Sequence, residues 1–418
     1  MYRYIIKGGT RIQGEVDVSG SKNASLPILA ASILNNGITK LYNIPNIDDV
    51  KITLEILSEL GCKIENTEKA TIIDSRNMTK TTIPDTLMRK LRSSIIIAGA
   101  ILSRFKEVSF TYPGGCEIGT RPIDLHLNNF KKIGIKIKEN TSNIECKCDR
   151  IETNQIQLDI PSVGATENIM LASVLGTHEI TIKNAAMEPE IEDLANFLNK
   201  MGAKVYGAGT NIIKIIGVEK LRDVSYKIIP DRIEAGTLLI GVACCSGNIV
   251  LNNVVPKHIR SMLYKLAECG CDIYEEENKI QLKSSGKLIG TEIKTMPYPG
   301  FPTDLQPIFA TLLATGKGTS IVTENIFENR FKYMQELKRM GAKITIEGRT
   351  AIIKGVNKLH GAEVESTDLR GGASLVIAGI SAKGITTVNK IEHILRGYED
   401  LDKKFNILGA NIVREQVI

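Results

Sequence analysis

Six helix-to-strand junctions read alike along the 418 residues: ELGCKI at Gly61, KIGIKI at Gly134, KMGAKV at Gly202, ECGCDI at Gly270, RMGAKI at Gly341 and ILGANI at Gly409. Neighbouring glycines lie 73, 68, 68, 71 and 68 residues apart. A period this regular means one supersecondary unit copied six times, which leaves few architectures open. Each glycine follows an amphipathic helical end such as FLNKM or MQELKRM and precedes a short strand, the position of a left-handed helix C-cap.

Each copy also holds an earlier helix rich in small residues: KNASLPILAASIL, RKLRSSIIIAGAIL, ATENIMLASVL, RIEAGTLLIGVACC, TDLQPIFATLLA and LRGGASLVIAGIS. These segments are apolar nearly all round, so they are expected to be buried on most faces. Strand-like runs such as IVLNNV and ITTVNKI lead on to the second helix. The unit reads strand–helix–strand–helix–strand–strand, a split βαβ pattern of α/β class. Three copies precede residue 230 and three follow it, so two similar domains are expected, divided within Ile228–Arg232.

Composition excludes several functions. With 43% apolar and 24% charged residues the chain has the make-up of a globular protein. No apolar run reaches the roughly 18 residues that span a bilayer. The longest, SSIIIAGAIL, lies between Arg92 and Arg104 and reads as a core helix. The opening MYRYIIKGG lacks the apolar stretch of a secretion signal, so a cytoplasmic location is expected. Eight cysteines in a chain of this length do not make a disulfide scaffold. The pairs Cys146-x-Cys148 and Cys269-x-Cys271 have the wrong spacing for zinc, and no metal is expected. Cys244 and Cys245 lie in an apolar helical run and read as core. A net charge of +6 spread along the chain, without tryptophan, gives no nucleic-acid stripe and suits small anions. No GxxxxGK[ST] or GxGxxG loop is present, so ATP or NAD use is not supported.

A sixfold α/β chain could be a toroidal scaffold with equivalent loops, but the loops differ. From the turn residue to the capping glycine the counts are 18, 22, 18, 17, 16 and 20, and the longest excursion, Tyr112 to Gly134, carries Cys116 within YPGGCEIGTRP. An extended loop on one copy of a repeated scaffold points to function. The small-residue helices also begin with unusual charge: Ser21-Lys22-Asn23, Arg92, Asp231-Arg232, Pro302-Thr303-Asp304 and Asp368-Leu369-Arg370. A cation there opposes the helix dipole unless an anion or a carboxylate offsets it. Asp304 and Asp368 have a second reading, as helix caps. Arg121, Arg330 and Arg396 add guanidinium groups near the second helices of copies two, five and six. If these ends converge, they would hold a small, highly charged anion.

Together with the six repeats, the segments SGSKNAS, LRSS, YPGGCEIGTRPIDLH, PSVGATEN, FPTDLQ, IFENRF, TDLRGGAS and LRGYE resemble the enolpyruvyl transferases, and among them the UDP-N-acetylglucosamine 1-carboxyvinyltransferases. The resemblance covers essentially the whole chain. It implies two inside-out α/β barrel domains of three repeats each, one formed by residues 1–21 plus 229–418 and the other by 22–228. It implies transfer of the enolpyruvyl group of phosphoenolpyruvate to the 3-hydroxyl of UDP-N-acetylglucosamine by addition and elimination, with release of phosphate and no cofactor. That reaction is the first committed step of bacterial peptidoglycan synthesis, which ties the family to cell wall biogenesis, cell shape and cell division. The alternative acceptor is shikimate 3-phosphate, used by a related transferase that lacks the cysteine loop.

The same resemblance implies roles for individual residues. Lys22, Arg121 and Arg396 would hold the phosphate, Arg330 and Arg370 the carboxylate, and Asn23 would touch the intermediate. Asp304 would accept the sugar hydroxyl proton. Arg92, the run Arg121, Pro122, Ile123, Asp124 and Leu125, the turn Ser162, Val163 and Gly164, and Ile326 would receive the UDP-sugar. Some members carry a basic residue two positions before the serine of the SVG turn; here that position is Ile160, and no charge contact is implied there. Cys116 would protonate C3 of phosphoenolpyruvate, could form a covalent adduct with it, and would be the thiol that fosfomycin alkylates. The glycines around it would let the loop fold over bound UDP-sugar.

Overall fold

The computed structural model describes residues 2–114 and 123–417. The chain divides into two compact units, one made of the residues up to Ser19 with those from Pro230 onward, the other of the described residues between Gly20 and Ile229. Both are built from the predicted repeat.

The six capping glycines explain why each second helix stops where it does. Gly61, Gly134, Gly202, Gly270, Gly341 and Gly409 all have φ between 92° and 108°, backbone that a Cβ would strain. The amide of the following residue reaches back to the helix at 3.0–3.1 Å in every copy, as in Ala342 N to Leu337 O and Ala410 N to Phe405 O. This closes the last turn and turns the chain directly into a strand.

In the unit that includes Pro230 onward, three sheets share one strand order. One runs Gln13–Asp17, Asn248–Asn252, Lys279–Lys283, Asp272–Glu276. The second runs Glu292–Lys294, Thr319–Thr323, Thr350–Lys354, Lys343–Glu347. In each the first pair is parallel and the others antiparallel, the signature of a split βαβ unit. The third sheet, Glu363–Glu365, Ile385–Asn389, Tyr2–Lys7, Ile412–Gln416, takes its third strand from the beginning of the chain. Tyr4 faces both Val388 and Arg414 in antiparallel register. The sixth repeat therefore needs only one strand after its capping glycine.

The helices Arg232–Cys244, Gln306–Thr315 and Leu369–Ser381 pack against one another and are buried along almost their whole length. Side chains such as Leu238, Leu312 and Val376 are fully enclosed, each contributing about 1.5–3 kcal/mol by leaving water. A helix enclosed on all sides shows its polar chemistry only at its ends.

The other unit repeats the plan. Its sheets are Val224–Lys227, Ile38–Tyr42, Ala70–Asp74, Lys63–Asn66 and Gln155–Gln157, Glu179–Lys183, Ile212–Ile216, Lys204–Tyr206. The sheet of the second repeat has three strands, Glu107–Phe110, Ile144–Lys147 and Lys136–Glu139, with a single parallel bridge from Thr82 to Ser109 where the fourth would lie. Its central helix Ile96–Phe105 packs on both Lys22–Ala31 and Val163–Ser173. Among the described residues no helix is long and apolar enough to cross a membrane.

One recurrent device ties the turn after a strand to the end of the strand that pairs with it in parallel. The side-chain amide of the turn asparagine donates to a backbone carbonyl there: Asn43 to Ile228, Asn184 to Leu158, Asn253 to Val18 and Asn325 to Thr295, at 2.7–3.1 Å. Asn43, Asn184 and Asn253 also adopt φ of 50–60°, which asparagine tolerates better than other side chains.

Candidate active site

In the unit that includes Pro230 onward, the three central helices do not all start alike. Asp231 and Asp368 are N-caps. Asp231 accepts from the amides of Ile233 and Glu234 at 2.8 and 2.9 Å, and Asp368 from those of Arg370 and Gly371 at 3.0 and 3.1 Å. Asp304 is not a cap. It lies in the short turn Thr303–Leu305, and its carboxylate bridges two arginines. Oδ1 accepts from Arg330 at 3.0 Å and Oδ2 from Arg370 at 3.1 Å.

Both guanidinium groups are deeply enclosed, with side-chain exposures of 2% and 3% against 27% for Asp304. Arg330 also donates to the Thr303 carbonyl at 3.1 Å and lies 3.8 Å from Asp368. Its guanidinium stands over the Phe327 ring, and that of Arg370 over Tyr398. Burial pulls the basicity of Arg370 down, but Tyr398, Asp304 and Asp231 more than offset this and leave it more basic than usual. Even so, among the described residues Nε of Arg330 and both Nε and Nη1 of Arg370 find no hydrogen-bond acceptor. Buried charged donors left open in this way are costly, and they are satisfied when an anion arrives.

Of the other expected residues in this unit, Arg396 directly follows the helix Glu392–Leu395. The Ile326 amide donates to Oε1 of Glu324 at 2.8 Å, in the turn after the strand Thr319–Thr323.

In the unit between Gly20 and Ile229, Lys22 opens the helix Lys22–Ala31, which Ser21 caps through the Ala24 amide. Its ammonium lies 2.7 Å from the buried Asp49 carboxylate, which offsets its charge against the helix dipole. Asn23 occupies the same first turn. Arg92 sits in the turn Arg92–Ile95, and burial lowers its basicity. Ile123 is buried; Asp124 and Leu125 begin the helix Asp124–Lys132, with Asp124 exposed. Ser162 caps Val163–Ser173 by accepting from the Ala165 amide at 3.4 Å.

His126, to which the sequence pattern assigns no role, joins these pieces. Asn168 gives its side-chain oxygen to the Gly99 amide at 2.9 Å, so its NH2 group must donate, to the Ile95 carbonyl and to His126 Nδ1, both at 3.0 Å. His126 therefore carries its proton on Nε2. Burial and then the Arg92 charge push its pKa down to about 4, so the ring is neutral at physiological pH. A Cβ on Gly164 would stand 3.1 Å from His126 Cε1, so glycine leaves room for the ring edge. Arg92, the run 123–125 and the 162–164 turn are thus gathered around one histidine.

Cys116, Arg121 and Pro122, with the loop motion expected around them, lie outside the described residues. Among the described residues no cluster of histidine, cysteine and acidic side chains could hold a metal ion. The seven described cysteines are free thiols, and six of them are buried. Burial holds the Cys269 and Cys245 thiols up at about 12, the behaviour of core residues rather than nucleophiles.

Residues 6–405 match the family described as EPSP synthase (3-phosphoshikimate 1-carboxyvinyltransferase). The chain is 51% identical to UDP-N-acetylglucosamine 1-carboxyvinyltransferase 2 of Caldanaerobacter subterraneus subsp. tengcongensis, over 99% of this chain and all of that one. It is 48% identical to UDP-N-acetylglucosamine 1-carboxyvinyltransferase of Clostridium botulinum, again over 99% of this chain and all of the relative. Among solved structures, the enolpyruvyl transferase NikO from Streptomyces tendae superposes with a TM-score of 0.89 at 22% identity, covering 99% of this chain and 98% of that one. EPSP synthase from Acinetobacter baumannii gives 0.77 at 20% identity with both chains fully covered. The two structures share the fold; the full-length identity goes further, and the chain belongs to the enolpyruvyl transferase family, with the UDP-N-acetylglucosamine 1-carboxyvinyltransferases among its relatives.

Proposed function

We propose that this chain is a UDP-N-acetylglucosamine 1-carboxyvinyltransferase that moves the enolpyruvyl group of phosphoenolpyruvate to the sugar 3-hydroxyl. C3 of phosphoenolpyruvate gains a proton while the sugar oxygen bonds to C2 and gives its own proton to a base. Loss of a proton from C3 then re-forms the double bond as the C2–O bond to phosphate breaks. Phosphate leaves, and no electrons are exchanged with a cofactor.

The observation that carries this reading is the pair of buried arginines around Asp304, whose open N–H groups suit a second carboxylate. Arg330 and Arg370 bind the carboxylate of phosphoenolpyruvate, which frees Asp304 to take the hydroxyl proton. Lys22, Arg121 and Arg396 bind the phosphate, and Asn23 touches the tetrahedral intermediate. Arg92, Arg121, Pro122, Ile123, Asp124, Leu125, Ser162, Val163, Gly164 and Ile326 receive the UDP-sugar. Cys116 delivers the proton to C3 and is the site of a phosphoenolpyruvate adduct and of alkylation by fosfomycin. The names and full-length identity of the relatives favour UDP-N-acetylglucosamine over shikimate 3-phosphate as acceptor. The product feeds peptidoglycan synthesis in the cytoplasm, and so cell wall biogenesis and division.

Phosphate release from phosphoenolpyruvate, measured with each acceptor in turn, tests the reading. Release with UDP-N-acetylglucosamine, none with shikimate 3-phosphate, and a large loss in Cys116→Ser are expected. Release with shikimate 3-phosphate alone, or with neither, overturns it.

A further inference from the structure

Glu324 is 1% exposed, yet it is absent from the chemistry assigned above. Its carboxylate is saturated by neutral donors. Oε1 accepts from the Thr295 hydroxyl at 2.9 Å and from the amides of Ile326 and Phe327 at 2.8 and 3.1 Å; Oε2 accepts from the Thr303 hydroxyl at 3.0 Å. Among the described residues no cation pairs with it. A buried carboxylate held only by neutral donors is costly to desolvate, and it persists where its hydrogen bonds fix something.

What it fixes follows from the chain. Thr303 precedes Asp304, and the Thr303 carbonyl accepts from Arg330, the residue that also holds Asp304 Oδ1. Phe327, bound to the other oxygen of Glu324, carries the ring beneath the Arg330 guanidinium. Thr295 is tied in as well: its hydroxyl accepts from the Asn325 amide at 2.9 Å, and its carbonyl from the Asn325 side chain. One carboxylate therefore pins the turn bearing Asp304 on one side, and Ile326 with the platform of Arg330 on the other.

We infer that Glu324 is a positioning residue, which sets Asp304 against Arg330 through the Thr303 hydroxyl and holds the Ile326 turn in register with them. The inference rests on Asp304 acting as the base. A carboxylate is required because two of the donors on Oε1 are backbone amides that cannot turn. In Glu324→Gln the single amide oxygen must stay with them, and the NH2 group then faces Thr303, whose hydroxyl has to rotate away from its present hydrogen bond.

The test is steady-state phosphate release from phosphoenolpyruvate and UDP-N-acetylglucosamine. Thr303→Val keeps the shape of the side chain and removes only the link. It is expected to lower kcat about tenfold, on the scale by which small misplacements of a reacting group act, and to leave KM for the UDP-sugar unchanged. Thr303→Ser, which restores the hydroxyl, should recover most of that loss. Glu324→Gln should lower kcat similarly, and the Glu324→Gln/Thr303→Val double variant should fall less than the product of the single effects. Wild-type kcat in Thr303→Val, a Thr303→Ser no better than the valine variant, or multiplicative losses in the double variant would overturn the inference. If Glu324→Gln does not fold, the two Thr303 variants decide alone. Asp304→Asn in parallel separates the causes: full activity there means that the base assignment has failed, and no release by the wild type means that the proposed function has.

Discussion

Replacing Asp304 by alanine should make the protein less stable and more responsive to its substrate. The carboxylate holds one guanidinium on each oxygen, at 3.0 and 3.1 Å, and both arginine side chains are 2–3% exposed. Removing one partner from a buried ion pair costs about 3–5 kcal/mol, because the other charge is left enclosed and unpaired. Arg330 retains the Thr303 carbonyl and Asp368, and Asp304 is itself 27% exposed, so the expected loss lies near the lower end, about 3 kcal/mol. For a folding unit of this size each kcal/mol shifts Tm by about 2–4 °C, giving a fall of about 6–12 °C. Calorimetry without ligand measures that fall. Repeating it with saturating phosphoenolpyruvate separates structural loss from the proposed chemistry. In the wild type the substrate carboxylate shares the two arginines with Asp304, which already neutralises part of their charge; in Asp304→Ala it would be their main counter-charge, so the variant should gain more from the ligand. Asp304→Asn, which keeps one good acceptor, should fall between the two. A variant as stable as the wild type, or one that gains no more from phosphoenolpyruvate, would refute the reasoning.

Gly409 has φ of 99° with open space around its missing Cβ, so Gly409→Ala should cost about 1 kcal/mol from the backbone alone. Gly409→Asn should cost less in denaturant unfolding, and equal stability of all three proteins would contradict a left-handed cap. Asp193 is buried and accepts from the Tyr226 hydroxyl at 2.6 Å; burial, outweighing that bond and the Ile229 amide, pushes its pKa up to about 6. A carboxyl raised in the folded state binds its proton more tightly there than in the unfolded chain, so its stabilising contribution is full below about pH 4 and is lost as pH rises through about 6. Asp193→Asn should therefore gain on the wild type between pH 4 and pH 7, by up to about 3 kcal/mol, since each tenfold difference in proton affinity between the folded and unfolded chain is worth about 1.4 kcal/mol. An unfolding free-energy difference that does not move with pH would count against this.

The fold was legible because its punctuation is local. A glycine that must take positive φ at the end of an amphipathic helix leaves a mark within six residues, and it recurs six times. The strand order of the last sheet left no such mark. Tyr2–Lys7 looks like any short strand, and its place between Ile385–Asn389 and Ile412–Gln416 is decided by which edges remain to be paired. The charged helix starts were visible, but not which of them are caps. Asp304 and Asp368 look alike in sequence, and only the arrival of Arg330 and Arg370 from 26 and 66 residues away separates them. His126 and Glu324 were missed for a related reason. One owes its state to Asn168, 42 residues on, and the other sits in an ordinary polar turn whose partners Thr295 and Thr303 come from a different part of the repeat. Sequence shows which residue types begin an element; what they do depends on long-range neighbours.

The strand Tyr2–Lys7 is made long before either of the strands it pairs with. Tyr4 pairs with Val388 and Arg414, so during synthesis at about 5–20 residues per second it waits on the order of 20–80 seconds for its partners to exist. The residues between Gly20 and Ile229 form a compact unit of their own and can fold within that interval. The other unit cannot complete the sheet that holds Tyr2–Lys7 until Ile412–Gln416 has been made. A substitution that weakens Tyr2–Lys7 would loosen a strand hydrogen-bonded on both sides, and it would act late in assembly, once both partner strands exist.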